Sequence, residues 1–149
     1  MYLMVLFAHN VLRWVALIAL LLAFVNALLA WMQKRVWMPA DRKLMAFASI
    51  GVDIQVLLGV LLYFFYSPIT TTSFPNFRAA LSFPEKRFFL LEHGLLMLLA
   101  LAAVHLGSAR ARKATDDRKK HQQAAIWFGI TLLVVLLGTP WFRSLFPGL

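Results

Sequence analysis

Four long apolar stretches, separated by short basic or proline-rich connections, constrain this chain more than any other feature. A helix needs roughly 20 apolar residues to cross the hydrocarbon of a bilayer. The stretches lie at about 5–32, 44–66, 85–107 and 116–139. The expected fold is an all-α membrane protein, an antiparallel four-transmembrane-helix bundle forming a single domain over 1–149. Composition agrees: 62% of the 149 residues are hydrophobic and 14% charged, against about 25% charged in a soluble domain. The first stretch lacks a basic n-region and is too long for a signal-peptide core, so it reads as a span.

Local signals set the helix ends. Pro39 suits the first turn of the second helix. Ser82-Phe83-Pro84-Glu85 has the capping-box pattern, with Ser82 as the cap. Thr115-Asp116-Asp117 offers acceptors and negative charge at the start of the fourth helix, and Pro140 stops it.

The connections set an expected orientation. Lys34, Arg35, Arg42 and Lys43 lie between helices one and two. Arg110, Arg112, Lys113, Arg118, Lys119 and Lys120 lie between helices three and four. Together they hold ten of the 15 basic residues. Four spans put both connections on one side, and the positive-inside rule makes loops 33–43 and 108–122 cytoplasmic, with both termini outside (N-out/C-out). The expected location is a bacterial inner membrane. The net charge of +9 is thereby explained by topology rather than by nucleic-acid binding. Trp31, Trp37, Tyr63, Tyr66 and Trp141 fall where an interfacial aromatic belt belongs.

Polar residues inside the spans are costly and mark function or inter-helix pairing. His9 and Arg13 are four apart on one helical face. Glu92 lies at a depth where it can neutralise Arg13, so a structural clamp between helices one and three is expected. Imidazole is also the natural axial ligand of haem iron. His9 with His93 forms one candidate pair, and His105 with His121 a second. Helices centred on their apolar runs would place His9 about 10 Å further from the midplane than His93. His121, between Lys120 and Gln122, reads as a solvated loop-side residue. Asp53 could relay protons, or accept hydrogen bonds from Asn26 or Gln55. Asp53, Gln55 and Tyr63 together form a candidate proton or quinone site. Ala19, Ala23, Ala27 and Ala30 read as a packing strip.

The absence of cysteine excludes thiolate metal sites and covalent c-type haem. No P-loop, G-x-G-x-x-G, H-E-x-x-H or nucleophile elbow is present, so nothing marks an independent enzyme.

The run His9-Asn10-Val11-Leu12-Arg13-Trp14, then Gln55 to Tyr63, then Arg87-Phe88-Phe89 with Glu92-His93, then Pro140-Trp141 resembles small four-span membrane proteins of Bacteroidetes-type bacteria labelled cytochrome B-like. The resemblance spans nearly the whole chain. It implies a haem b protein that transfers electrons in a membrane energy-converting chain, with His9 and His93 as iron ligands and Arg13 and Glu92 beside them. Relatives often carry histidine where this chain has Asp53, which cannot replace it on iron. The alternative is a non-catalytic accessory subunit of a larger respiratory or photosynthetic membrane complex, docked through its phenylalanine-rich connection.

Overall fold

A computed structural model describes residues 1–143; residues 144–149 of the expected domain lie outside them. Four helices are long and apolar enough to cross a membrane: Tyr2–Met32, Pro39–Tyr66, Pro84–Lys113 and Asp117–Gly138. The first is α1 (Tyr2–Met32). The second is α2 (Pro39–Leu61), continued by a π turn (Leu62–Tyr66). The 67–83 connection carries α3 (Pro68–Thr71), a 3-10 turn (Phe74–Asn76) and α4 (Phe77–Ala80). The third span runs from α5 (Pro84–Arg87) through a second π turn (Phe88–Glu92) into α6 (His93–Lys113). The fourth is α7 (Asp117–Gly138).

Neighbouring spans pack in a closed ring: α1 on α2, α2 on α6, α6 on α7 and α7 on α1. The first and third spans therefore stand diagonally across the bundle. We call the end holding the N-terminus and the 67–83 connection the upper end.

Lipid is the solvent this surface fits. Leu3, Phe7, Ile18, Leu22 and Leu29 of α1, Ile50 and Leu57 of α2, Leu95 and Leu98 of α6, and Leu133 and Leu137 of α7 all point outward. A monomer in water rarely exposes apolar patches beyond a few hundred Å².

Alanine builds the interior. Ala19, Ala23, Ala27 and Ala30 are buried along α1, as expected, and meet Ala48, Ala100, Ala111, Ala124 and Ala125. Small side chains let helix backbones approach, which is how apolar helices gain dispersion energy when lipid offers no hydrophobic drive. Gly51 of α2 shows the effect: a Cβ there would stand 3.3 Å from Cα of Ala16.

Helix ends follow local chemistry, with one exception. Pro39 opens α2, and Asp41 accepts a hydrogen bond from the backbone N–H of Met38 (2.8 Å). Asp116 caps α7 by accepting from the Lys119 N–H at 2.8 Å. That bond, and then the Lys119 ammonium, hold its carboxyl below the ordinary carboxylate range. The expected capping box at Ser82 does not form: α5 starts at Pro84, its flanking residue is Phe83, and no side chain caps it. Proline removes one N–H that a cap would satisfy, so little is lost. Pro140 ends α7 as expected. It has no N–H for the Leu136 carbonyl, and the Trp141 indole Nε1–H donates there instead (2.7 Å).

Candidate functional site

The upper half of the bundle encloses a cavity of about 710 Å³, lined by His9, Asn10 and Arg13 of α1, Gln55 and Gly59 of α2, and Phe89 and His93 of the third span, with Val135 and Thr139 completing it. Small-molecule and cofactor sites commonly occupy about 300–1,000 Å³.

His9 and His93 meet across this space. Their ring centres are 6.4 Å apart, with planes at 78°. The depth gap expected between them is absent. The third span starts at Pro84, above its apolar run, and α1 starts at Tyr2, so neither helix is centred where hydropathy alone would put it. The π turn just before His93 adds a residue to the helical register there. π turns recur at functional sites.

The two imidazoles are held differently. His93 Nδ1 lies 2.7 Å from the Gly138 carbonyl oxygen. A carbonyl only accepts, so Nδ1 carries the proton and Nε2 keeps its lone pair. This is the outer-shell arrangement that orients a ligating histidine. Gly138 permits the contact: a Cβ there would stand 3.1 Å from Leu96 Cβ and 2.5 Å from Met97 Cε. Its carbonyl is spare because the helix ends there.

His9 is bonded by Gln55. In the orientation that satisfies the Gln55 amide, its NH2 donates to His9 Nδ1 (3.2 Å) and to the His9 carbonyl (3.0 Å), and its oxygen accepts from the Arg13 N–H (3.0 Å). Neutral His9 then carries its proton on Nε2 and presents a donor. Ligation through Nε2 requires the proton on Nδ1 and the amide turned over.

These residues fit a haem in three respects. The two imidazole ring centres, 6.4 Å apart, are close enough to share one metal ion between them. His93 has the required lone pair. Arg13, only 7% exposed, sets a cation beside the cavity, and Arg143 lines it as well.

Other expectations fail. Glu92 does not clamp Arg13: it accepts from Arg87 Nε at 2.9 Å and is half exposed. The diagonal placement of the two helices, and a π turn that aims Glu92 outward, explain this. Arg13 instead donates to Asn10 Oδ1 at 3.4 Å.

Asp53, Gln55 and Tyr63 form no common site. Asp53 and Gln55 are two residues apart, hence about 200° around the helix. Gln55 faces the cavity, whereas Asp53 turns away to His105, 2.7 Å distant. The Tyr63 hydroxyl donates to the Leu90 carbonyl (2.9 Å), joining the two π turns, and Thr70 Oγ1 donates to the Tyr63 carbonyl (2.7 Å). Asn26 donates to Asp41 rather than Asp53 (2.7 Å), and Arg35 Nη2 bonds both, at 2.7 and 2.9 Å.

His105 and His121 do not pair. His121 is fully buried, not solvated, and its ring lies 4.8 Å from that of Trp37. Trp37 lies in the 33–38 connection and covers His121, a contact that no local pattern announces. Among the described residues no three of His, Cys, Asp and Glu cluster as a metal site; axial ligation of a haem calls for two.

No family model, curated protein or solved structure matches the chain.

Proposed function

We propose that this is a small membrane haem protein that holds one b-type haem in the upper cavity and passes single electrons within a bacterial membrane energy-converting chain. The observation that carries this reading is the His9–His93 pair, 6.4 Å apart across the cavity, with His93 Nδ1 bonded to Gly138. Bound haem would supply one-electron chemistry at a potential tuned by burial and outer-shell hydrogen bonds.

His93, oriented by Gly138, and His9, once Gln55 turns its amide, would hold the haem iron. Arg13 and Arg143 would supply cations for its propionates; Glu92, tied to Arg87, takes no part. The basic connections 33–43 and 108–122 face the cytoplasm, leaving the haem near the opposite face.

The test is a reduced-minus-oxidised visible spectrum of the purified protein, supplied with haem during expression. A low-spin α-band of b type is expected. His9→Ala should retain haem with a high-spin spectrum, and His93→Ala should lose it. A protein free of haem after that supply would end the reading.

An accessory role in a larger respiratory or photosynthetic assembly is favoured by a different observation: Phe64, Phe65, Phe74, Phe77 and Phe83 are exposed together around the upper connection. Copurification after gentle extraction tests it; a chain that migrates without other subunits counts against it.

A further inference from the structure

One polar pair stands on the outside of the bundle. Asp53 of α2 and His105 of α6 are joined at 2.7 Å, yet their side chains are 42% and 55% exposed. Asp53 lies near the middle of its span, about 20 Å from either end of the 39–66 helix. One turn away in the same seam, Ser49 and Ser108 also meet (3.2 Å), but both are buried. The seam thus closes over its hydroxyls and leaves its ionisable pair open.

Ionisable side chains at this depth face protein or water, because hydrocarbon offers no hydrogen-bond partner. Asp53 Oδ1 takes the bond from His105 Nε2. The second oxygen of Asp53 and Nδ1 of His105 form no hydrogen bond among the described residues. When both imidazole nitrogens of His105 carry a proton, the pair has two donors and two acceptor oxygens, and its internal bond uses one of each. What remains is one donor and one acceptor side by side.

We propose that this seam is a two-fold interface between two copies of the chain, centred on Asp53 and His105. A surface offering one donor and one acceptor is complementary to itself when rotated by half a turn. His105 Nδ1–H of each copy then donates to the free Asp53 oxygen of the other, and four groups close a ring that hides them all from lipid. Closed two-fold contacts use the same patch on both subunits. The flanking residues fit such an approach: Ala102 is small and exposed one turn from His105, and Leu57, 61% exposed, stands one turn from Asp53. The seam faces away from the cavity, so the interface is independent of the haem reading.

The chain has no cysteine, so single-cysteine variants report the interface without background. In nanodiscs and in mild detergent, the full-length protein should behave as a dimer of the 16.9 kDa chain. Oxidation should cross-link Leu57→Cys and Ala102→Cys to themselves and leave Leu22→Cys and Leu133→Cys, on other faces, as monomers. Asp53→Leu/His105→Leu should lower the dimer fraction at least tenfold while helical circular dichroism is retained. A monomeric wild-type protein, cross-linking only at the control positions, or an undiminished dimer in the double variant would each overturn the proposal. Failure of the double variant to fold leaves the cysteine series, which keeps the pair intact, to decide.

Discussion

The upper and lower halves of this bundle are built from the same four helices on opposite principles. Below, Ala27, Ala30, Ala111, Ala124 and Ala125 are buried, and the polar residues Asn26, Arg35 and Asp41 bond one another. Above, the helices part around a 710 Å³ cavity, and His9, Gln55 and His93 make specific bonds to its walls. The difference teaches where a ligand can enter. Alanine brings backbones together and leaves no room, whereas π turns and a helix end free carbonyls and open space.

The comparison is broken most severely by His93→Ala. The loss of haem retention should exceed the roughly 10–100-fold that removal of an outer-shell partner costs, with the melting temperature of the haem-free protein little changed. Titration with haem and a thermal melt read the two effects separately. Gly138→Ala should come next. The added methyl collides with Leu96 and Met97, pushes α7 off α6, and weakens haem binding by about 10–100-fold through the lost His93 anchor. Unchanged affinity in this variant would mean that the Gly138 carbonyl does not orient the ring.

Lower-half substitutions should act on stability alone. Ala124→Leu inserts a large side chain where exposure is 0%, and overpacking of this kind costs about 1–3 kcal/mol. Val56→Phe, which points into the cavity, should leave stability nearly intact while blocking the ligand. Equal destabilisation of the two would show that the cavity closes in the absence of ligand. Trp141→Phe removes the donor to Leu136 and should cost about 0.5–1.5 kcal/mol, visible as faster hydrogen exchange in the last turn of α7. The smallest effect is a pH effect. The Asp116 carboxyl is held low chiefly by the Lys119 N–H, so its contribution is complete above the unfolded carboxylate pKa of about 3.9 and is lost as pH falls through the lower folded value. Amide exchange at Lys119 and Lys120 should quicken only in that acidic window.

The sequence made some of this legible and hid the rest. Spans, ends and the alanine strip follow from hydropathy, Pro39, Asp116 and Pro140, all local features. The pairing of His9 with His93 was readable as chemistry but not as geometry, because the π turn at Phe88–Glu92 has no sequence signature and shifts the register of the third span. The opposite faces of Asp53 and Gln55 follow from their two-residue spacing, and helical periodicity alone argues against a shared site for them. The burial of His121 was hidden because its neighbours Lys119, Lys120 and Gln122 are polar, and its cover, Trp37, comes from a distant connection.

The second π turn has an evolutionary consequence. A wide turn is one residue more than an α-helix needs, so deleting one residue within Phe88–Glu92 would return that stretch to α geometry and keep the helix on either side in phase, whereas the same deletion within α6 would rotate everything before it by about 100°. The 67–83 connection and the alanine-packed half would both keep their places, and only the side chains of the turn, at the roof of the cavity, would be re-aimed. A lineage could therefore retune what the chamber admits through single insertions or deletions, without rebuilding its foundations.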